Sequence, residues 1–247
     1  MTALILSAIT VGVAAQEGSS ALGLHFGFAQ TDYRLNSWDP EADSKELNTT
    51  MLNGFKVGLV WDATFVKGFG STVGLNYTFG THDSGWASQS EFAKYPQVKE
   101  KDLYSQLELF VDWQYKFQIA GNTYLIVYTG PTLQCQLALV AREYVRSSPD
   151  DEQAPKVINH FDYDDETMHQ DYKRLNVTWG VGVGFQYDRY FLRGGYDFGL
   201  MNPYKMDNFN QVELLVKQYG ADYSRATRGR LDQWSIKLGI YFWQNDK

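Results

Sequence analysis

The chain has 247 residues, a formal net charge of −7 and a single cysteine. This length fits one large domain or two small ones, and the acidic balance argues against nucleic-acid binding, which usually needs a basic surface. One cysteine excludes an internal disulfide and a zinc site built from several cysteines. Aromatic residues make up 16% of the chain and 22 residues are glycine, which favours strands and tight turns over helices.

An uncharged, mostly apolar segment opens the chain at residues 3–15. It is too short for a transmembrane helix, which needs about 20 residues, but it fits the apolar core of a secretory signal. Val13 and Ala15 stand at positions −3 and −1 of a cleavage site before Gln16. The alternative is a buried first strand or helix. We therefore expect residues 1–15 to be a signal-peptide remnant and residues 16–247 to form one exported domain.

Apolar and polar residues alternate along most of the remaining chain. In residues 103–119, odd positions such as Leu107 and Leu109 are apolar, whereas even positions such as Glu108 and Asp112 are mostly polar. A strand places these two sets on opposite sides of a sheet, whereas a helix would mix them. Seven further stretches follow the same pattern. They predict strands at residues 21–33, 53–65, 70–81, 123–144, 172–187, 190–201 and 230–243.

The connections between these strands alternate in length. Short turns join the second strand to the third, the fourth to the fifth and the sixth to the seventh, and they contain the Gly, Asn and Asp residues typical of hairpins. The remaining links are long, at residues 34–52, 82–102, 145–171 and 202–229. This alternation predicts an all-β fold, an eight-stranded antiparallel up-and-down barrel, because closing the meander removes both sheet edges.

The two faces of the predicted strands differ sharply in charge. The apolar face is almost free of charge and includes Leu133, Leu137 and Leu139 in the fifth strand. The polar face carries four cations and four anions, which are Lys56, Asp62, Glu108, Asp112, Lys116, Arg193, Asp197 and Lys237. Many other positions on this face are glycine, as a crowded interior requires. Because eight strands leave room for little more than side chains, we expect these charges to fill the barrel and neutralise one another.

Aromatic residues gather near both ends of the predicted strands. Phe65, Phe117 and Tyr187 lie near the short turns, and Tyr77 and Phe79 lie towards the long loops. Such girdles mark the two interfaces of a membrane barrel, whose outer face is apolar. The alternative is an exported, soluble, lipocalin-like barrel that binds a ligand against an inward apolar face.

The membrane arrangement has a direct consequence for substitutions. A charge on the lipid face near the bilayer centre costs roughly 2–4 kcal/mol. Leu109→Arg is therefore expected to impair folding in a membrane far more than Glu108→Gln, which changes a residue on the polar face.

Five stretches of the alternating sequence carry a family resemblance. They read GFKVGL at 54–59, VGLNYTF at 73–79, TWGVGVGF at 178–185, YDFGL at 196–200 and WSIKLGIYF at 234–242. In these stretches the chain resembles the small outer-membrane β-barrel proteins of Gram-negative bacteria, above all the porin-family or PorT-like barrels of the Bacteroidetes. One departure is the tail, where residues 244–247 follow the last aromatic residues, whereas many such barrels stop at a terminal Phe.

The resemblance implies a location in the outer membrane and a particular orientation. Both termini and the short turns would face the periplasm, and the long loops would face outward. Because eight strands leave no wide pore and catalytic motifs have little support, we expect a structural or surface-interaction role without catalysis, such as adhesion or an accessory role in secretion. The expected partners are outer-membrane lipid and lipopolysaccharide, the long loops could contact a protein, and the chain is expected to be a monomer.

The third long loop is strongly acidic. Residues 146–171 contain eight acidic residues and only two basic ones. The candidates for a divalent-cation site are Asp162, Asp164, Asp165 and Glu166, because carboxylates suit Ca²⁺ or Mg²⁺. The spacing of an EF-hand is absent, and the alternative is a solvated acidic loop that repels itself. No cofactor is expected.

Catalysis has little support in the sequence. His82 and Ser84 have the His-x-Ser spacing that resembles lipid A-modifying barrels, but Gly85 follows where that family has Asn. Cys135 falls on the apolar face and His25 on the polar face, and both positions are typical of packing rather than chemistry. A lipid A-modifying enzyme therefore remains a minor alternative to a non-enzymatic barrel.

Overall fold

The computed structural model describes residues 18–36, 46–66, 68–88, 96–148, 151–152, 154–159, 161, 172–203 and 229–245. Its strands are β1 (Ser19–Asn36), β2 (Glu46–Val66), β3 (Phe69–Asp83), β4 (Ala87–Ser88), β5 (Gln97–Ala120), β6 (Thr123–Ser148), β7 (Asp151–Glu152), β8 (Lys156–Asn159), β9 (Leu175–Tyr187), β10 (Tyr190–Gly199) and β11 (Gly229–Asn245). Within these ranges no helix is long and apolar enough to cross a membrane. The predicted signal segment lies outside the described residues, so it stays a prediction.

Eight long strands close into a ring. β1 pairs with β2 and with β11, and the ring continues from β2 through β3, β5, β6, β9 and β10 to β11, with every neighbouring pair antiparallel. The short strand β4 adds to β5, and β7 and β8 add to β6. The predicted eight-stranded up-and-down barrel is confirmed.

The two ends of the barrel differ. Ser20 pairs with Asn245 and Ser19 with Thr64, so the first and last strands begin and end beside the three short turns. Gly121 and Asp188 have positive φ angles of 50° and 52°, the left-handed conformation that tight hairpin turns require. We call this end the turn end, and we call the opposite end, which carries the long connections, the loop end.

Side chains alternate between the outside and the inside of the barrel. Phe26 and Phe55 on the outer face are 63% and 64% exposed, whereas Lys56 and Glu108 on the inner face are each 1% exposed. The apolar face therefore points outward, as in a membrane barrel and opposite to a soluble one. The interior is tightly filled, because a Cβ atom added at Gly182 would lie 2.2 Å from the ring of Tyr128.

Two aromatic girdles bound the apolar belt. At the loop end, the ring centres of Phe55 and Phe79 are 6.2 Å apart, and at the turn end those of Phe65 and Phe69 are 6.4 Å apart. Phe55 and Phe65 lie on the same strand. Their separation corresponds to about 33 Å along that strand and, at a tilt of about 40°, to about 25 Å across the membrane. This height matches the apolar band of an outer-membrane barrel.

The strands extend further than predicted towards the loop end. β2 begins at Glu46 and β5 at Gln97, so residues 46–52 and 97–102 are strand where the sequence predicted loop. Neither segment has a regular alternation of apolar and polar residues, so the sequence pattern does not mark them as strands. Beyond the girdle, residues 81–83, 87–88, 97–102, 140–148 and 156–159 form a small sheet, which we call the loop-end sheet.

One residue of the fifth predicted strand faces the interior instead of the predicted outer side. Leu139 was expected on the outer face, but it is buried inside the barrel. The β5–β6 pairing passes from Gln106–Gln136 to Ser105–Ala138, so β6 contains one extra residue at this point. Such a bulge exchanges the two faces of a strand, and the sequence pattern carried no signal for it.

Candidate functional site

The structure places all eight predicted charges on the inner face of the barrel. Lys116 and Asp197 are partly buried, and the other six are buried, namely Lys56, Asp62, Glu108, Asp112, Arg193 and Lys237. They are arranged in layers along the barrel axis, because strand β5 carries Lys116, Asp112 and Glu108 in order from the turn end.

Asp62 is the centre of the layer nearest the turn end, which we call the Asp62 cluster. Lys116 Nζ lies 2.7 Å from one carboxylate oxygen, and Arg193 Nη2 lies 2.9 Å from the other. Gln114 Nε2 and the Tyr241 hydroxyl donate to the second oxygen at 2.9 and 3.0 Å. A buried carboxylate with two cations and two neutral donors has its hydrogen-bonding capacity filled.

The middle layer surrounds a small cavity of about 10 Å³ that is lined by Asp112, Asp197 and Lys237 among others. Lys237 Nζ lies 5.0 Å from the centre of the Phe110 ring, a cation–π distance. Within the described residues no direct salt bridge joins these three charges. The cavity has room for about one water molecule, which is enough to bridge them.

Glu108 collects the donors of the next layer. Lys56 Nζ lies 2.8 Å from one of its carboxylate oxygens, and Asn76 Nδ2 donates to the same oxygen at 2.9 Å. Thr78 Oγ1 and Gln106 Nε2 donate to the other oxygen at 3.1 and 2.5 Å. Four donors from three strands therefore hold one buried carboxylate, and the sequence pattern predicted none of these contacts.

Apolar side chains fill the barrel beyond Glu108. This aromatic plug contains Tyr33, Leu52, Tyr104, Leu139, Phe161, Tyr172 and Leu231. The ring centres of Tyr33 and Tyr172 are 4.9 Å apart, and the Arg174 guanidinium lies 4.4 Å from the centre of the Phe161 ring. Sequence reasoning missed the plug because Phe161 comes from the third long loop, which has no periodicity.

An open vestibule occupies the turn end of the barrel. Its volume is about 590 Å³, and its lining includes Lys116, Gln118, Tyr124 and Gln186. Lys116 also bonds Asp62, so the vestibule ends at the Asp62 cluster. Between the vestibule and the aromatic plug, the described side chains form stacked layers rather than an open conduit.

A second charged group lies near the loop-end girdle on strands β1 and β11, and we call it the Asp–Arg quartet. Asp32 is directly opposite Asp232, and Arg34 is directly opposite Arg230. The Arg34 and Arg230 guanidinium groups lie 3.3 and 2.8 Å from the Asp232 carboxylate, and Arg34 lies 3.7 Å from Asp32. The quartet is neutral. Sequence reasoning missed it because its two strands lie at opposite ends of the chain.

The residues considered for catalysis have structural contacts. Ser84 Oγ accepts the Glu100 backbone N–H at 2.9 Å and so links β3 to β5. His82 lies opposite Asp102 in the same ladder. His25 is buried, with Nε2 2.8 Å from Asn76 Oδ1, and Cys135 is half-buried.

The proposed metal ligands cannot be placed. Asp162, Asp164, Asp165 and Glu166 lie outside the residues that the structure describes. Among the residues it does describe, no group of three or more His, Cys, Asp or Glu side chains is arranged to hold a metal ion.

The stability of the loop-end sheet is predicted to depend on pH because of Asp102. It lies outside the girdle and is buried, and burial together with the nearby Glu100 carboxylate raises its pKa from 3.8 to about 6. The folded protein then binds this proton more tightly than the unfolded chain does, so stability falls as the pH rises from about 4 to about 6. We expect faster amide exchange around Leu103 at pH 7 than at pH 5, after correction for the intrinsic exchange rate.

The control for this experiment is Asp102→Asn, which cannot titrate at this position. It should show the same protection around Leu103 at both pH values. A variant that kept the full pH dependence would show that a group other than Asp102 is responsible.

Comparison with known proteins identifies the family. The model of the outer membrane protein beta-barrel domain matches residues 14–204, and no curated protein matches the chain. Ail of Yersinia pestis, solved with the heparin analogue sucrose octasulfate, aligns over 92% of this chain and 100% of its own at 13% identity, with a TM-score of 0.39. Neisserial surface protein A aligns over the same shares at 12% identity, with a TM-score of 0.38. Because the family model covers most of its length, the chain belongs to the outer membrane protein β-barrel domain family and is an integral barrel of the cell outer membrane.

Proposed function

We propose that this protein is a non-conducting anchor that acts through its loop end, in adhesion or as an accessory to secretion. The observation that carries this proposal is a contrast between the two parts of the molecule. The barrel interior is filled by charged layers and an aromatic plug. Strands β2, β5 and β6, in contrast, continue past the girdle and build a folded surface.

The loop-end sheet has the internal contacts of an ordered binding surface. Arg146 donates to Gln97 Oε1 through Nε at 2.9 Å and through Nη2 at 2.5 Å. The same guanidinium lies 4.2 Å from the centre of the Trp86 ring. Loops held by such a scaffold are common places for binding residues.

Further features belong to the same proposal. The loop end faces the cell exterior, the PorT-like character is part of the proposed secretion role, and the protein is a monomer surrounded by outer-membrane lipid. It acts by binding rather than by catalysis. Two contacts support this choice, since Ser84 bonds the backbone of Glu100 and the buried Glu108 carboxylate is held by four donors.

Conductance tests the anchor role. In planar bilayers, the purified protein is expected to show no steady single-channel current, because the vestibule ends at the Asp62 cluster and the loop end is plugged. An open porin from the same membrane provides the positive control. Reproducible current steps from the wild-type protein would instead favour a role in solute passage.

A loop-trimmed variant tests the surface role in the cell. Short Gly-Ser turns replace residues 85–96 and 149–159, which keeps the plug residue Phe161. A mobility shift between unboiled and boiled samples reports whether the barrel still folds. In a deletion strain we expect wild-type protein to restore attachment or secretion, and the folded, trimmed variant to fail. Full complementation by the trimmed variant would assign the function to the barrel itself.

A further inference from the structure

The two faces of the loop-end sheet differ in net charge, although each also carries a charge of the other sign, since Lys156 lies opposite Glu143 and Asp83 opposite Lys101. Glu100 and Glu143 are directly opposite each other and share a face with the inward-pointing Asp102. Lys101 and Arg142 form the adjacent opposite pair, so by strand alternation their side chains lie on the outward face. This side of the sheet is continuous with the lipid-facing side of the barrel.

The Lys101–Arg142 pair stands at the height of the lipid headgroups. The preceding outward pair is Leu103–Val140, which is apolar and lies just beyond the level of the girdle residue Phe79 and its partner Ser105. Lys101 is two positions further along β5, or about 7 Å along the strand. The polar headgroup layer begins just outside the hydrocarbon core, so both cations reach it directly.

No described carboxylate forms a salt bridge with Lys101 or Arg142. Asp83, which lies opposite Lys101 in the β3–β5 ladder, forms its salt bridge with Lys99 at 2.9 Å. Like charges directly opposite each other on antiparallel strands are destabilising. Lys99 and Lys101 both lower the pKa of the Asp83 carboxyl, so two lysines share one carboxylate and the outward face keeps an excess of positive charge.

The Asp–Arg quartet contains a second pair of cations that are directly opposite each other. There, Arg34 and Arg230 are also directly opposite, but both lie within 3.3 Å of the Asp232 carboxylate. One side of the barrel therefore carries its own anion beside the cation pair. On the β5–β6 side, the carboxylate opposite Lys101 is Asp83, which forms its salt bridge with Lys99, and this fits a further anion supplied by the membrane.

We infer that Lys101 and Arg142 bind the phosphate groups of lipopolysaccharide in the outer leaflet. Arginine can bind a phosphate through two parallel hydrogen bonds, and lysine adds a compact charge beside it. The Leu103–Val140 pair directly beneath would contact the acyl chains of the same molecule. This inference rests on the proposed outward orientation of the loop end.

The test compares two double variants. One changes the outward pair Lys101–Arg142, and the other changes the adjacent inward pair Glu100–Glu143 on the same two strands. Fluorescent bisphosphorylated lipid A is titrated against the purified barrel in neutral detergent micelles. The Lys101→Gln/Arg142→Gln variant is expected to bind about 30-fold more weakly than the wild type, from the contribution of each cation near an anionic surface. The matched control, Glu100→Gln/Glu143→Gln, should keep or improve the wild-type affinity. The single variant Lys101→Gln should bind lipid A about fivefold more weakly, and it replaces the double variant in the test if the double variant does not fold.

Three results would overturn the inference. Wild-type protein could bind dephosphorylated lipid A equally well, or the double variant could keep full affinity. Inositol hexakisphosphate, which has no acyl chains, could compete as effectively as lipid A, and this would assign the pair to a soluble polyanion. Because both ends of the barrel are accessible in a micelle, lipid A binding can be measured whatever the orientation of the barrel in the cell. Failure of the binding test can therefore be distinguished from failure of the proposed surface role of the loop end.

Discussion

Asp62→Ala is expected to destabilise the folded barrel by about 3–5 kcal/mol, the usual cost of removing one partner from a buried ion pair. Asp62 is the shared partner of Lys116 and Arg193, at 2.7 and 2.9 Å. Without it, two cations lie close together in the interior with no carboxylate in contact. The free energy of unfolding, measured by urea titration in lipid vesicles, gives the result directly.

Two comparisons isolate the effect of the buried charges. Asp83→Ala removes the same side chain from an exposed salt bridge with Lys99, and it should destabilise the barrel far less, because water and salt screen an exposed ion pair. Adding Arg193→Met to Asp62→Ala should recover part of the loss, because it removes a cation that lacks its partner. Equal losses from Asp62→Ala and Asp83→Ala would show that the Asp62 cluster is hydrated rather than buried.

Leu109→Arg is expected to cost roughly 2–4 kcal/mol, the range for a cation on the lipid face at the bilayer centre. Leu109 is on the outer face of β5, opposite Leu75 and Leu133, and lies between the two girdles. Refolding yield and unfolding free energy in bilayers of defined thickness measure the loss.

The control for Leu109→Arg must change depth rather than face. Ile119→Arg puts the same charge on the same face of the same strand, but beyond the turn-end girdle, where the cost falls to about 0–1 kcal/mol. Similar losses at both positions would contradict the position of the apolar belt. Glu108→Gln, which alternation alone suggested as a mild substitution, is unsuitable, because the Glu108 carboxylate accepts from Lys56, Asn76, Thr78 and Gln106.

Local pattern predicted most of the barrel wall. The side chains of a strand alternate with a period of two, so a sequence such as that around Leu107, Glu108 and Leu109 shows its two faces without any knowledge of its neighbours. The pattern failed to predict features that depend on residues far away in the chain. It missed the strand extensions at residues 46–52 and 97–102, and it placed Leu139 on the outside, because only the partner strand reveals the bulge.

The sequence by itself determined the fold class, the number of barrel strands and which face meets lipid, since each depends on residues close together in the chain. The tertiary structure alone decided the contacts within and around the barrel. Lys56 meets Glu108, Asp62 meets Arg193, and Arg34 meets Asp232, each across a long stretch of chain. Strand register brings such charges together, and register follows from ring closure and bulges. Any of the four interior cations could have neutralised any of the four anions, and only the packed barrel selects the pairs.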